Sequence, residues 1–146
     1  MVQFSRKIVQ TVLLCFFLLI GSNGCKDDYV SVVPYVPVDM NFNPTNYILN
    51  SPGVSVTFEK FGYGGIIIFR DASDSSNPYL AFDACCTYEV STTCRVVSDG
   101  SLATCPCCGS QYILFGGNGS PTKGPATEPL KQYRTSFIGG RIIVRN

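Results

Sequence analysis

The chain has 146 residues, with 11 Lys+Arg against 10 Asp+Glu, a formal net charge of +1 and no histidine. The missing histidine excludes Ser-His-Asp and Cys-His catalysis and every His-ligated metal site. Charged residues are only 14% and form no basic cluster, so the footprint of a nucleic-acid binder is absent; 12% aromatics at that low charge argue for a packed domain rather than a disordered chain.

The N-terminus reads as an export signal. Arg6 and Lys7 precede an unbroken apolar run at 12–20, followed by Gly21, Ser22 and Gly24 and then Cys25. The run is shorter than the ~20 apolar residues a spanning helix needs, so residues 1–24 are expected to be a signal peptide. Ile20-Gly-Ser-Asn-Gly-Cys25 resembles a bacterial lipobox, with Ser22 where Leu is usual, and Cys25-Lys-Asp-Asp28 looks like the lysine-plus-acidic tag of surface lipoproteins. The resemblance implies a lipid on Cys25, a membrane partner reached through it, and a place in the bacterial cell envelope, on the outer membrane facing the periplasm or the surface. Residues 25–34, charged at the start and ending in Pro34, suit a tether to one domain at 35–146. Losing Arg6 and Lys7 from the 11 basic residues leaves 9 against 10 acidic ones, a net charge of −1. Nothing in the sequence names a protein partner.

From there the pattern is strand after strand. Tyr35-Val-Pro-Val-Asp-Met-Asn-Phe42 alternates in its second half, and Val54-Ser-Val-Thr-Phe58 alternates throughout, each as a half-buried strand does. Gly65-Ile-Ile-Ile-Phe69 is a continuous β-branched run that suits burial on both faces. Tyr79-Leu-Ala-Phe82, Cys94-Arg-Val-Val97, Leu102-Ala-Thr-Cys105 and Gln111-Tyr-Ile-Leu-Phe115 follow. The chain closes with Arg134-Thr-Ser-Phe-Ile138, Gly139-Gly140 and Arg141-Ile-Ile-Val-Arg145, which reads as a hairpin on a two-residue turn. No stretch has a capped 3.6-residue period, so the fold class is all-β, a sandwich or barrel.

Cys15 leaves with the signal and Cys25 is taken by lipid, which leaves Cys85, Cys86, Cys94, Cys105, Cys107 and Cys108. Arg6-Lys7 is not a twin-arginine pair, so the chain is expected to cross unfolded and meet an oxidising compartment with bare thiols. Disulfides are the first expectation there, with a pairing that spacing does not decide. Two other chemistries remain open. Cys105-Pro-Cys-Cys108-Gly109 is a Cys-x2-Cys-Gly knuckle, and Cys86 with Cys94 (or Cys85) would complete four thiolates for zinc or an all-cysteine iron–sulfur centre. The same Cys105-Pro-Cys-Cys108 matches a thiol–disulfide redox motif, but Gly109-Ser110 leads into a strand, not the helix N-terminus that would activate a thiol. No paired carboxylates, phosphate loop or nucleophile–base pair stands out, so no catalytic residue is assigned.

Cys86-Thr-Tyr88, then Cys105-Pro-Cys-Cys-Gly-Ser110, then residues 124–133 with Gly124-Pro-Ala, Pro129-Leu130 and Tyr133 stand in an order and spacing that resemble the Rieske iron–sulfur family, over roughly residues 79–146. The resemblance implies an antiparallel β-sandwich with a small Cys-rich two-loop subdomain, its loops within 83–133. It also implies a 2Fe–2S cluster on two Cys and two His. The Cys positions fall on Cys86 and Cys105, whereas the His positions hold Tyr88 and Cys108. Cys107 matches one partner of the family's inter-loop disulfide, with Cys94 as the other; Cys85 has no counterpart. A true Rieske centre therefore cannot form. The function expected is a membrane-anchored envelope lipoprotein with a degenerate Rieske-like domain, a non-catalytic binding or structural module stapled by disulfides. The alternatives are electron transfer through an all-cysteine iron–sulfur site (or a structural zinc at Cys86, Cys94, Cys105 and Cys108), and thiol–disulfide exchange.

Overall fold

Ile66-Ile-Ile-Phe69 sits where two cores meet. In the computed structural model, which describes residues 30–146, these four residues are at most 1% exposed. Side chains of a strand point alternately to opposite faces. Ile66 and Ile68 therefore join one core, with Met40, Leu49, Tyr79, Ala81, Ile142 and Val144, while Ile67 and Phe69 join a second with Phe82, Ala103, Tyr112 and Leu114. Each fully buried Ile, Leu, Val or Phe among them contributes roughly 1.5–3 kcal/mol. The signal peptide expected at 1–24, Cys25 and the start of the expected tether lie outside the described residues.

Ten strands follow in chain order: β1 (Asp39–Phe42), β2 (Ser55–Phe58), β3 (Ile66–Arg70), β4 (Tyr79–Asp83), β5 (Val97–Asp99), β6 (Leu102–Thr104), β7 (Gln111–Ile113), β8 (Pro121–Lys123), β9 (Gln132–Ile138) and β10 (Arg141–Arg145). All pair antiparallel, in a six-stranded sheet of order β1-β10-β9-β4-β3-β2 and a four-stranded sheet of order β5-β6-β7-β8. The larger sheet curls at β9, whose Gln132 and Tyr133 pair with β4 while its remainder pairs with β10. The first core lies inside that curl. The second lies between β3–β4 and the four-stranded sheet, which carries the cysteine loops. The all-β expectation holds, and among the described residues no helix is long and apolar enough to cross a membrane.

Two local readings shift, and one short element was not foreseen. The first strand begins only at Asp39, because Asn146 caps the preceding segment with its side chain, accepting from Val38 N–H and donating to the Val36 carbonyl. Pro44–Tyr47 is a 3-10 turn capped by Asn43, whose side chain accepts from Thr45 N–H. The strand expected at Cys94-Arg-Val-Val97 starts at Val97 instead; upstream of it Arg95 makes only an isolated bridge to Cys85. The Gly139-Gly140 hairpin is as expected, with φ of 59° and 74° at the two turn residues.

After β3 the chain turns on Asp71, a buried carboxylate that accepts from Ala72 N–H, Ser73 N–H and the Ser73 hydroxyl. Burial alone would raise its pKa, but these donors, with Gly116 N–H, outweigh it and hold the carboxyl below the ordinary range. A depressed folded pKa contributes stability above the ordinary carboxylate value, lost as pH falls through the folded one. The stability gap between the parent and Asp71→Asn should thus be full at neutral pH and close in acid. Urea midpoints of the two proteins at both pH values check this, and a gap that persists at low pH would contradict it.

Candidate metal centre

Three loops meet at one end of the second core. The first leaves β4 at Ala84, runs through Cys85 and Cys86, and returns so that Val96 N–H donates to the Ala84 carbonyl at 2.7 Å and Cys86 N–H to the Cys94 carbonyl at 3.2 Å. The second joins β6 to β7. It closes tightly, Cys105 N–H donating to the Ser110 carbonyl at 2.8 Å and Gly109 N–H to the Cys105 carbonyl at 2.9 Å. A disulfide between Cys94 and Cys107 ties these two loops together. The third, residues 124–130, is pinned to both: Ala126 N–H donates to Ser110 Oγ at 3.1 Å, and the Thr87 hydroxyl donates to the Glu128 carbonyl at 2.7 Å.

This arrangement brings Cys86, Cys105 and Cys108 together, their Sγ atoms all within 4.8 Å of one another. The Sγ atoms of Cys86 and Cys108 are 3.6 Å apart. Cys86 and Cys105 are fully buried and Cys108 is half-buried. The fourth thiolate expected from the sequence is not there. Cys94 is consumed by its bond to Cys107, so the four-cysteine set of Cys86, Cys94, Cys105 and Cys108 is corrected to three. Cys85, the substitute, turns its buried thiol to the carbonyls of Cys86 and Ser91. Burial, with the Asp83 carboxylate and Cys86 nearby, pushes that thiol up to about 11, so Cys85 stays neutral. Tyr88, at one of the histidine positions, is 56% exposed.

Burial would raise the Cys86 thiol, but Glu89 N–H, the Tyr112 hydroxyl and Tyr88 N–H stabilise its thiolate and together bring it below the usual value. Cys105 goes the other way, to about 11, through burial and through the neighbouring Cys86 and Cys108, although the N–H groups of Cys108 and Cys107 favour its ionised form. Of these two thiols, Cys86 is therefore the readier to ionise and Cys105 the more reluctant. The Tyr112 hydroxyl lies 3.4 Å from Cys86 Sγ and 3.0 Å from Thr87 Oγ1, and accepts from Thr87 N–H at 3.2 Å. Its own pKa is raised by burial and by Cys86, so it keeps its single proton to donate. Sequence reading missed Tyr112, whose only signal was its inward position in the alternation of β7, and took Ser110 within its motif without giving it a role.

The family's 2Fe–2S group does not fit these residues. It needs two donors on each of two irons. Tyr88 is turned out to solvent, and Cys108 has joined Cys86 and Cys105 instead of standing across from them.

No family model matches the sequence, and no curated protein matches it. Solved structures do match. One is a chain of the complex of reduced oxygenase and oxidized ferredoxin in carbazole 1,9a-dioxygenase, 18% identical, with a TM-score of 0.52, covering 74% of this chain and 93% of that one. Another is the cyanobacterial plasma membrane Rieske protein from Synechocystis PCC 6803, 22% identical, with a TM-score of 0.53, covering 73% of this chain and 99% of that one. With the two cysteine loops, their disulfide and the covering loop in place, the chain has a Rieske-like fold.

Proposed function

We propose that this is a lipid-anchored envelope protein whose Rieske-like domain binds a metal through cysteine thiolates alone. The observation that carries the reading is the convergence of Cys86, Cys105 and Cys108 where the three loops meet, with N–H donors beside Cys86 and Cys105 that favour their ionised forms and Cys108 bonded to Ser110 Oγ. The anchor rests on the sequence at Cys25. A second reading, a metal-free module stapled by disulfides, is favoured by the Cys94–Cys107 bond and by the 3.6 Å gap through which Cys86 and Cys108 could oxidise.

The test is to produce the full chain with its own leader in a bacterial envelope, solubilise it, and measure metal content and free thiols. Bound metal in the parent, lost in Cys105→Ser, is the expected result. A metal-free protein with Cys86 and Cys108 joined in peptide mapping would establish the stapled module instead. In the same cells Cys25→Ala should move the protein from the membrane to the soluble fraction, and retention in the membrane would remove the anchor.

A further inference from the structure

This inference rests on the metal-binding reading and names the ion. We infer that Cys86, Cys105 and Cys108 hold one divalent thiophilic cation of the zinc class, with a fourth, exchangeable position, in place of a two-iron cluster. Sulfurs that share one tetrahedral ion at a bond length of about 2.3 Å stand ~3.8 Å apart. Cys86 and Cys108 are at 3.6 Å, and the whole trio lies within 4.8 Å. A two-iron cluster divides its ligands two and two across bridging sulfides, so donors on different irons are set further apart by the metal–metal separation. A trio gathered around one point leaves no donor for a second iron.

The protein supplies no fourth ligand among the described residues. Cys94 and Cys107 are bonded to each other, Cys85 faces two carbonyls, and no Asp or Glu joins the cluster. The most accessible of the three thiols is Cys108, so the open position faces the solvent side. A site with three protein donors and an open position takes water or a small ligand as its fourth.

The surroundings set the charge of the ion. Cys86 Sγ has Glu89 N–H at 3.5 Å and the Tyr112 hydroxyl at 3.4 Å. Cys105 has the N–H groups of Cys107 and Cys108. Cys108 Sγ lies 3.1 Å from Ser110 Oγ, which accepts from Ala126 N–H; once Cys108 is a thiolate, the serine proton turns to it. No Lys or Arg takes part in these contacts. Three thiolates leave one net negative charge with a divalent ion and two with a monovalent one, and neutral donors in a buried setting tolerate the smaller residue.

The test uses the full-length protein with the Cys94–Cys107 bridge intact and Cys86, Cys105 and Cys108 as free thiols, stripped of metal, titrated with Co(II) and then Zn(II). One cobalt per chain is expected, with thiolate charge-transfer bands and tetrahedral d–d bands. Added imidazole should shift the d–d bands, and one equivalent of zinc should displace the cobalt. Cys85→Ser should leave stoichiometry and spectrum unchanged, while Cys108→Ser should weaken cobalt binding by more than about 100-fold, beyond the loss of a mere supporting contact. A spectrum blind to imidazole and abolished by Cys85→Ser would overturn the three-thiolate site. Two irons per chain with sulfide on reconstitution would overturn the single ion while leaving metal binding intact. Failure to bind cobalt, zinc or iron would remove the metal-binding reading itself.

Discussion

Asp83→Ala should cost about 4 kcal/mol, a large part of the 5–15 kcal/mol that holds a typical domain together. Asp83 is the last residue of β4, with 0% exposure. Its Oδ1 accepts from Gly64 N–H at 2.8 Å and Cys85 N–H at 2.9 Å, and its Oδ2 from Tyr63 N–H at 2.8 Å and the Tyr133 hydroxyl at 2.7 Å. One carboxylate thus ties the 62–65 turn, the first cysteine loop and β9. Alanine would leave four donors facing each other with no acceptor, each at a cost of roughly 1–3 kcal/mol in part relieved by water. Asparagine turns an NH2 group toward one pair of donors, so Asp83→Asn should fall between alanine and the parent. Tyr133→Phe removes only one donor; burial and the Asp83 carboxylate both raise that phenol's pKa, so it is a neutral partner whose loss costs about 1 kcal/mol. Urea denaturation of the four proteins should give that order. An Asp83→Ala protein as stable as Tyr133→Phe would show that the carboxylate does not organise these segments.

Gly124→Ala should cost about 3 kcal/mol and open the site. Gly124 has φ of +96°, a conformation that L side chains rarely adopt, and a Cβ there would lie 2.5 Å from Ser110 Cα and 2.8 Å from Ser110 N. Those are backbone atoms, so no rotamer change relieves the contact. The covering loop would have to lift, breaking the bond from Ala126 N–H to Ser110 Oγ that steadies the hydroxyl beside Cys108. The expected signature is a lower melting temperature together with faster alkylation of Cys108. Gly116→Ala is the comparison, since φ is also positive, at +81°, but no atom lies within 4 Å of its Cβ. Equal losses in the two variants would mean that backbone strain alone, without the clash, sets the cost.

The strands were legible where a side-chain period or a turn had only one physical solution. Ile66-Ile-Ile-Phe69 could be apolar throughout only if both its faces were covered, and Gly139-Gly140 could join two β-branched runs only as a tight turn. β8 was not legible, because Pro121-Thr-Lys123 has no apolar alternation and is held by pairing with β7. At the site, the loops and Cys86, Cys105 and Cys108 were legible from residue type and order. The role of Cys94 was not: it served equally as a fourth ligand or as a bridge to Cys107, and only the folded positions decide. Asp83 was hidden for a different reason, since two of its donors, Tyr63 and Gly64, are about twenty residues upstream and a third, Tyr133, is fifty downstream.

The Cys94–Cys107 bridge has a consequence for how such a centre would be filled. In small zinc domains the metal assembles its own ligands from an unfolded chain, so losing the ion means losing the fold. Here a covalent link and two sheets already hold the loops side by side, and the entropy of gathering three distant thiols is settled when the chain folds. Loading and unloading of such a centre would then be local events beside the half-buried Cys108, following acid and metal supply while the scaffold stays assembled.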